Sequence, residues 1–484
     1  MFTIYRPELA GPATELRDQH RSFLAGEWDA ARLAEHQSAL LRRTLGYVKA
    51  NSPFYRAHLA AVDPAAVTAL DEATLAAIPF TTKDDLRAAQ HDLLSRPLSD
   101  AWIFYETTGT TGRSTPCPRD DIDSLANNTV LTHYYETVFR QYGDDQVIGV
   151  SGPTELHAFS DTFGDVCRNL GLAVAKMWPH SPMVGFDRAL EVMRSFPVTG
   201  LFCTPGMALS LAKRAVAAGL DPRRDFELEV LMTTGELASP SLLANLGDLW
   251  GARAHNALYA SQEASVKGAV GADGLLYTAP LISYSEVVDP DTGRWVRPDA
   301  AGVREGELVV THLYQGSKPL VRYRTGDLVR LTDPRPGQSV PAASIAALGR
   351  VRDRLDLNGR LVTGYDLEDL LLRPLRGYLD YQLVIDRVAG ADRLTLTLQL
   401  PERTGPAAVA EGAARAVELC RDVFDTELEV TTGTLGSVTS TGAMVSWKAA
   451  RVIDRRGRGT GAAGAGAGDV EARSAARIAA GRNR

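Results

Sequence analysis

The pattern of apolar and polar residues predicts helices in the first part of the chain. Between about residues 12 and 75, apolar residues recur at spacings of three, four and seven, which places them on one helix face. These residues are Leu33, Leu40, Leu41, Leu45 and Val48. The segment Asn51-Ser52-Pro53 then interrupts the pattern and predicts a helix end.

The middle of the chain alternates short apolar runs with segments of helical length. The runs predicted as strands are 147–150, 172–175, 200–203 and 230–232, and crossover helices are predicted over 187–196 and 206–219. Strands separated by helices favour a mainly parallel sheet that is covered on both faces.

The pattern changes again after residue 305. Short strands predicted at 307–310 and 321–324 indicate a β-rich subdomain, and a new unit begins after Gly349-Arg350. Its predicted elements are strands at 383–385 and 394–398 and a helix around 406–424. We therefore predict an α/β protein. A large N-terminal domain, residues 1–351, has mainly parallel sheets flanked by helices plus the β-rich subdomain, and a small α+β C-terminal domain covers residues 352–456.

The last segment, residues 457–484, is rich in glycine, alanine and arginine. A segment of this composition cannot bury enough surface to offset the entropy lost on ordering. It is predicted to be a disordered tail.

Composition narrows the class of protein. The 484 residues are 45% apolar and 23% charged, which is typical of a globular chain with more than one folding unit. The net charge of -7 argues against nucleic acid and against an anionic membrane surface as partners. The four cysteines are far apart and lack zinc-ligand spacing: Cys117, Cys167, Cys203 and Cys420. No signal peptide or membrane span is evident in the sequence. These features predict a soluble cytoplasmic protein, either a monomer or a homodimer.

Lysine is scarce in this chain. Only seven of the 52 basic residues are lysines, and the remainder are arginines. Chemistry that requires a lysine therefore has a short set of candidates: Lys49, Lys83, Lys176, Lys213, Lys267, Lys318 and Lys448.

A segment dense in threonine and glycine is the strongest candidate for binding phosphate. Gly109 and Gly112 allow a tight backbone turn that presents N–H groups to an anion, and Arg113 adds charge. The hydroxyls can donate to phosphate oxygens, and they belong to Thr107, Thr108, Thr110, Thr111, Ser114 and Thr115. The segment does not match the lysine-containing phosphate loop of the P-loop enzymes. Composition alone also allows a flexible linker.

Six segments, in order, carry a resemblance to a known family: 51–56, 78–86, 107–115, 203–206, 322–328 and 448–454. Through them the chain resembles, from about residue 40 to 456, the adenylate-forming superfamily, and within it the phenylacetate–coenzyme A ligase-like branch. Each segment alone is a weak signal, whereas their common order is specific. The resemblance implies that the small C-terminal domain is mobile and pivots at Arg352, the hinge position, between two reaction steps.

The implied reaction begins with attack of a carboxylate on the α-phosphate of ATP, which yields an acyl adenylate and pyrophosphate. Coenzyme A then takes the acyl group as a thioester. Because two anions must approach each other, the site needs cations, Mg²⁺ and oriented donors. The resemblance thus implies ATP, Mg²⁺ and coenzyme A as cofactors, and a small carboxylic acid as substrate.

The resemblance also assigns residues to the nucleotide. Asp327 matches the aspartate that bonds both ribose hydroxyls, a role that suits a carboxylate because it accepts two O–H donors. Taken by itself, this residue is better explained as a hairpin-turn aspartate beside Gly326, whereas the whole pattern of motifs favours ribose binding. Arg350 matches the arginine that contacts the ribose or a phosphate, and its alternative is a charged linker residue. Tyr259 would stack near the adenine.

Gly235 and Glu236 follow the predicted strand at 230–232 and resemble the adenine-facing turn of the family. Open α/β sheets bind ligands at such strand ends. A plain strand-to-helix turn remains the alternative for Glu236.

Two residues are implied to act on the reacting groups. Glu263 aligns with the glutamate that holds Mg²⁺ against the phosphates, since hard cations prefer carboxylate oxygens; the alternative is an exposed surface glutamate. Lys448 resembles the lysine that bridges the carboxylate and the α-phosphate, where an ammonium neutralises developing charge. Its alternative is a solvated lysine in a basic segment. The chain departs from the usual family pattern at Ala260, Gln262 and Trp447.

The acid pocket is less well defined by the sequence. His157 and Phe159 follow a predicted strand, where family members often place substrate-facing aromatic groups. The alternative for Phe159 is a core residue, and the alternatives for His157 are a satisfied buried histidine and a surface residue. By analogy with the named branch we expect an aromatic acid. The departures at Ala260, Gln262 and Trp447 leave two alternatives open: transfer to a carrier-protein thiol or an amine, and a non-catalytic nucleotide-binding protein.

Overall fold

The computed structural model describes residues 6–107, 114–402, 404, 406–435 and 451–456. The helices in chain order are α1 (Ala10–Leu24), α2 (Ala30–Asn51), α3 (Pro53–His58), α4 (Glu72–Ala76), α5 (Lys83–Ala89), α6 (Asp121–Phe139), α7 (Phe159–Asn169), α8 (Gly185–Ser195), α9 (Pro205–Ala217), α10 (Pro240–Trp250), α11 (Gly364–Leu372) and α12 (Ala410–Phe424). Within the described ranges, no helix combines the length and the apolar character needed to cross a membrane.

The strands complete the secondary structure. They are β1 (Ile103–Glu106), β2 (Pro116–Arg119), β3 (Val147–Val150), β4 (Ala173–Lys176), β5 (Gly200–Cys203), β6 (Val230–Thr234), β7 (Arg253–Ser261), β8 (Ser265–Val270), β9 (Leu276–Thr278), β10 (Ser283–Val288), β11 (Val303–His312), β12 (Tyr323–Thr332), β13 (Ser344–Arg350), β14 (Leu355–Leu357), β15 (Arg360–Val362), β16 (Asp380–Val388), β17 (Ala391–Gln399), β18 (Glu427–Thr432) and β19 (Val452–Asp454).

The described residues form two compact units. The first combines 6–176 with 255–352, and the second combines 177–254 with 353–456. One boundary falls between Arg352 and Asp353, within one residue of the predicted domain boundary. The second unit also takes in residues 177–254, so the assignment of 1–351 and 352–456 as domains stays a prediction. The predicted disordered tail, 457–484, lies outside the described residues.

The N-terminal helices of the first unit follow the predicted pattern. Asp29 caps α2 by accepting the Arg32 N–H at 2.7 Å, and α2 ends at Asn51, where Ser52 begins to cap α3. Leu41, Leu45 and Val48 are buried in a hydrophobic core. That core also contains the following residues from later parts of this unit: Tyr55, Ala264, Val321 and Tyr323. The helix face predicted from leucine spacing therefore shares a hydrophobic core with the start of β12 and with the segment before β8.

Antiparallel pairing joins most strands of the first unit. In order, the neighbours are β10, β11, β12, β13, β9, β8 and β7. The parallel pair β3 and β4 and the hairpin β1–β2 complete the pairing within the unit. β12 begins at Tyr323, two residues later than predicted. Arg322 has a left-handed φ of 43°, which is incompatible with extended strand geometry.

The second unit contains the later part of the predicted strand–helix alternation, whereas the earlier part, β3, α7 and β4, belongs to the first unit. β5 and β6 pair in parallel, and they are followed along the chain by α9 and α10. A four-stranded sheet, ordered β18, β17, β16 and β19, lies in the same unit as α11 and α12. The α/β fold class is confirmed, including the β-rich part and the separate small sheet near the C-terminus.

Candidate functional site

Three of the sequence segments meet at the start of β12. Thr81 forms an isolated parallel bridge with Tyr323, and its Oγ1 donates to the Val321 carbonyl oxygen at 2.7 Å. The Tyr55 hydroxyl lies 3.3 Å from Thr81 Oγ1 and accepts the Val321 N–H at 3.0 Å. The segments at 51–56, 78–86 and 322–328 are thus adjacent in space.

A buried arginine holds this junction. Arg322 pairs with Glu286 at 2.9 Å and donates to the carbonyl oxygens of Leu75 and Ile78 at 2.6 Å. Its guanidinium also lies 4.1 Å from the centroid of the Phe80 ring. These contacts compensate for the strained φ of Arg322 and fix the turn that leads into α5.

α5 begins at Lys83 because a reciprocal capping box forms there. The Thr82 hydroxyl accepts the Asp85 N–H at 3.2 Å, and the Asp85 carboxylate accepts the Thr82 N–H at 2.8 Å. The cap places Lys83 at the first residue of the helix, and its Nζ lies 3.3 Å from Glu263 Oε1.

Glu263 is buried between β7 and β8, with 9% of the residue exposed. Its Oε1 also accepts the Tyr323 hydroxyl at 3.2 Å. Burial by itself would raise the pKa of this carboxyl, but the charges of Lys83, Lys267 and Lys318 together lower the pKa to about 2. Glu263 is therefore an ionised, buried group, and the alternative of an exposed surface glutamate is wrong.

Asp327 lies in β12, and the register with β13 places it opposite Arg350. Its Oδ2 accepts the Tyr259 hydroxyl at 2.8 Å and lies 3.2 Å from the Lys267 Nζ. Its Oδ1 lies 3.8 Å from the Arg350 Nε, which is too far for a hydrogen bond. The structure brings together the predicted Tyr259, Asp327 and Arg350, and it adds Lys267.

The turn before Asp327 is fixed by Glu307, which is buried in β11. Gly326, at a φ of 72°, donates its N–H to Glu307 Oε1 at 3.0 Å. Arg324 Nε donates to Glu307 Oε2 at 3.0 Å, and Thr325 Oγ1 accepts the Asp327 N–H at 3.1 Å. The backbone conformation that presents Asp327 is therefore held by contacts within the protein.

The hairpin β1–β2 closes the base of the predicted phosphate loop. Thr107 donates its N–H to the Thr115 carbonyl oxygen at 3.3 Å, and the Thr107 hydroxyl accepts the Thr115 N–H at 3.0 Å. Lys318 Nζ donates to the Pro116 carbonyl oxygen at 3.1 Å and lies 3.4 Å from Cys117 Sγ. Lys318 therefore links the loop base to the charges around Glu263. The predicted loop residues Thr108, Gly109, Thr110, Thr111, Gly112 and Arg113 lie outside the described part of the chain.

In the second unit, Gly235 and Glu236 directly follow β6, as predicted. Gly235 has a φ of 84°, which glycine adopts without strain. Glu236 Oε2 accepts the Gly206 N–H at 3.0 Å and pairs with Arg451 Nη1 at 3.2 Å. Arg451 is buried, so this part of the basic segment after Lys448 is not solvated.

The predicted acid-pocket residues have different surroundings. Phe159 begins α7, is buried, and its ring centroid lies 4.8 Å from that of Phe163. A Cβ on Gly152 would lie 2.3 Å from the Phe159 ring, so the ring occupies the space left by that glycine. His157 is half-buried, and its Nδ1 accepts the Phe159 N–H at 3.2 Å. Phe159 therefore occupies a core position, which was the alternative to contact with the acid.

Comparison with known proteins places this geometry in context. No protein-family model matches the chain. A phenylacetate–coenzyme A ligase of Pseudomonas putida is 28% identical over 380 residues, which cover 76% of this chain and 82% of that ligase. The ligase of the same name from Thermus thermophilus is 28% identical over 388 residues and covers 76% and 81%.

Solved structures share the fold. A 2-hydroxyisobutyryl-CoA ligase in the postadenylation state, in complex with 2-HIB-AMP, has a TM-score of 0.73 at 23% identity and covers 88% of this chain and 90% of that one. The same ligase with 2-HIB-AMP and CoA, in the thioesterification state, has a TM-score of 0.61 at 24% identity and covers 89% and 91%. Over 76% of its length the chain is similar to phenylacetate–coenzyme A ligases, and it shares its fold with a 2-hydroxyisobutyryl-CoA ligase.

Two cations near Glu263 were not expected from the sequence, namely Lys267 and Lys318. Both side chains are buried, and the motifs that carry the resemblance do not include them. Only the scarcity of lysine, and the position of Lys267 within the apolar strand β8, pointed to them. Within the first unit, three cations thus act on Glu263, namely Lys83, Lys267 and Lys318.

The remaining predicted site positions are only partly described. Arg352 is exposed in a 3₁₀ turn, Val351–Asp353. The predicted catalytic Lys448 and its neighbour Trp447 lie outside the described residues. The roles of Arg352 and Lys448 therefore stay predictions.

Proposed function

We propose that this chain activates a small carboxylic acid with ATP and transfers the acyl group to coenzyme A. In the first step the carboxylate oxygen bonds to the α-phosphorus of ATP and pyrophosphate leaves. In the second step the thiol sulfur of coenzyme A bonds to the acyl carbon, AMP leaves and the thiol proton is released. The product is an acyl-CoA thioester.

The observation that carries the proposal is the pairing of Asp327 with Tyr259, in the same unit as the Glu263–Lys83 pair. A carboxylate held in place suits a ribose diol, because it accepts two O–H donors. The half-buried Tyr259 ring, beside that carboxylate, suits stacking on adenine. Homologous ligases that match three quarters of the chain support this assignment.

Charge around Glu263 suits the approach of two anions. Lys83, Lys267 and Lys318 all lower the pKa of Glu263, so their combined field is positive at this point. Preorganised cations stabilise charge that develops during phosphoryl and acyl transfer. We assign to Lys448 the closest contact with the reacting carboxylate and α-phosphate.

The residues present also fit Mg²⁺. No group of three or more His, Cys, Asp or Glu side chains that could hold a metal occurs among the residues the structure describes. Glu263 offers one carboxylate, and the buried Oε1 of neighbouring Gln262 has no hydrogen-bond partner within the described part of the chain. Mg²⁺ bound with ATP commonly uses one or two carboxylates plus phosphate oxygens and water. When bound here, Mg²⁺ would be held by Glu263 and would neutralise phosphate charge.

For the acid we propose an aromatic carboxylic acid, because the sequence relatives carry the name of phenylacetate ligases. His157 is the polar candidate for contact with that acid. We propose that the enzyme acts in the cytoplasm, consistent with four buried cysteines that form no disulfide.

A substrate screen tests the function. The purified chain is incubated with ATP, Mg²⁺ and each member of a panel of aromatic and aliphatic acids, and pyrophosphate release is measured. Products formed with and without coenzyme A are then identified by mass spectrometry. We expect acid-dependent pyrophosphate release and, with coenzyme A, an acyl-CoA. Failure of every acid to release pyrophosphate would exclude the proposal.

Matched variants connect the activity to the site. Lys448→Ala is expected to lower acid-dependent pyrophosphate release on the order of a hundredfold or more. Lys49→Ala, on α2, is the control and is expected to retain the wild-type rate. Pyrophosphate release with an adenylate but no acyl-CoA would reject coenzyme A and indicate a carrier-protein thiol or an amine as acceptor.

A further inference from the structure

Lys267 occupies an irregular position in β8. Tyr259 pairs with Gly268, whereas the next residue, Ala260, pairs with Val266. Lys267 is therefore the extra residue of a β-bulge. Bulges redirect a side chain and are frequent beside active sites.

The Lys267 side chain is 1% exposed, and its ammonium has two contacts. Its Nζ lies 3.2 Å from Asp327 Oδ2 and 4.2 Å from the centroid of the Tyr259 ring. The Tyr259 hydroxyl donates to the same Asp327 oxygen at 2.8 Å. Lysine, tyrosine and aspartate thus form a closed triangle of contacts.

Folding energy gives little reason for this arrangement. Burial of a lysine and a carboxylate costs solvation that their attraction only partly recovers, so such a pair is weak support for stability. Its geometric effect is clearer. Two donors on Oδ2 fix the rotation of the Asp327 carboxylate and leave Oδ1 directed away from them, with the Arg350 Nε at 3.8 Å.

We propose that Lys267 is a positioning residue, which orients the Asp327 carboxylate toward the ribose hydroxyls of the nucleotide and so selects ribonucleotides over deoxyribonucleotides. The inference rests on the proposed function, because it takes Asp327 as the ribose-binding residue. Lys267 acts through Asp327 and Tyr259 and does not itself touch the reacting atoms.

Nucleotide binding, measured without any acid, separates this inference from turnover. Dissociation constants for ATP, 2′-deoxyATP and 3′-deoxyATP are determined by calorimetry for the wild type, Lys267→Met, Lys267→Arg and Asp327→Ala. We expect the wild type to prefer ATP by about tenfold or more, since a charged hydrogen bond to a hydroxyl is lost in the analogues. Lys267→Met and Asp327→Ala are both expected to reduce the preference to about twofold or less.

Controls keep the test decisive. Lys267→Arg retains the charge and is expected to keep most of the preference. Lys213→Met removes an ion pair with Asp380 in the second unit and is expected to leave the preference unchanged. Should Lys267→Met not fold, Lys267→Gln takes its place.

A folded variant that lacks the charge at position 267 but keeps the wild-type preference would overturn the inference, as would a wild type without any preference. Absence of acid-dependent pyrophosphate release, with nucleotide preference intact, would instead reject only the proposed function.

Discussion

Arg451 and Glu236 form a buried ion pair, with Nη1 3.2 Å from Oε2 and side chains that are 8% and 5% exposed. The same guanidinium lies, through its Nε, 3.4 Å from the Asp380 Oδ1. Arg451 comes three residues after Lys448 in the sequence, and Glu236 belongs to the predicted adenine-facing turn. The pair therefore joins the segment after the proposed catalytic lysine to a proposed nucleotide-binding turn.

Replacement of this arginine is expected to destabilise the second unit. Arg451→Met leaves the Glu236 and Asp380 carboxylates buried with one cationic partner fewer, and removal of one member of such a pair typically costs about 3 kcal/mol or more. The expected result is a lower midpoint of urea unfolding, followed by circular dichroism. Because Arg451 anchors the segment after Lys448, we also expect slower pyrophosphate release.

The control is an exposed ion pair of the same unit. Arg393 and Glu429 lie 3.0 Å apart with side chains 44% and 50% exposed, and such pairs contribute roughly 0–1 kcal/mol. Arg393→Met is therefore expected to shift the midpoint only slightly. Equal shifts for Arg451→Met and Arg393→Met would show that the buried pair does not anchor the segment.

Gly206 tests the same contact from the opposite side. A Cβ at this position would lie 3.0 Å from both carboxylate oxygens of Glu236 and 3.1 Å from Arg451 Nη2. Gly206→Ala is expected to lower the midpoint of unfolding by the equivalent of about 1 kcal/mol, because the crowded pair must shift. Among the described residues, and leaving aside its chain neighbours and its own helix backbone, a methyl group added at Gly46 in α2 would meet no atom within 4 Å. Gly46→Ala is therefore expected to stabilise the protein by up to about 1 kcal/mol. Melting curves that move in the same direction for both variants would contradict this explanation.

Local pattern was sufficient to predict much of the fold. β3 and β5 have the predicted bounds, and α8 and α9 differ from prediction by one or two residues at their ends. These elements could be predicted because strands and helices differ in the period at which apolar residues recur. The late start of β12 could not be predicted, since it depends on the ion pair of Arg322 with Glu286, 36 residues earlier in the chain. Contacts between residues far apart in the chain produce no repeating pattern in the local sequence, so local pattern cannot predict them.

The candidate site shows the same division. Asp327, Tyr259 and Glu263 lie in motifs that the resemblance identifies, and the structure brings Asp327 and Tyr259 into contact. Lys267 could not be found this way, because its direction depends on a β-bulge opposite Tyr259. If β8 is assumed to alternate regularly, as a sequence pattern would suggest, nothing predicts that Lys267 lies beside Asp327.

Tyr259 is expected to contribute to ATP binding through its hydroxyl as well as its ring. Tyr259→Phe keeps the ring but removes the 2.8 Å hydrogen bond to Asp327, which leaves the carboxylate less constrained. Loss of a hydrogen bond to a charged group costs about 1.5 kcal/mol, so we expect the KM for ATP to rise about tenfold. Tyr284→Phe, which loses a 3.4 Å bond to the Leu70 carbonyl oxygen, is the control. A rise in the KM for the acid with an unchanged KM for ATP would contradict the assignment.

Glu263 should give the protein a pH-dependent stability. Its pKa, about 2 in the folded chain against an ordinary value of 4.5, means that the folded state favours the ionised form. The resulting stability is fully present above about pH 5 and is lost as the pH falls toward 2. Its size at neutral pH is on the order of 3 kcal/mol.

Thermal unfolding of the wild type and of Glu263→Gln, measured from pH 7 to pH 3, checks this dependence. The wild type is expected to be more stable at pH 7, and the difference is expected to narrow as the pH falls, because protonation removes the charge that the variant lacks already. Lys83→Met should weaken the same dependence, since it removes the nearest of the cations that lower the pKa of Glu263. A difference between wild type and Glu263→Gln that stays constant across this range would mean that the lysines around Glu263 do not hold it ionised, and the electrostatic basis for phosphate binding at this point would then be lost.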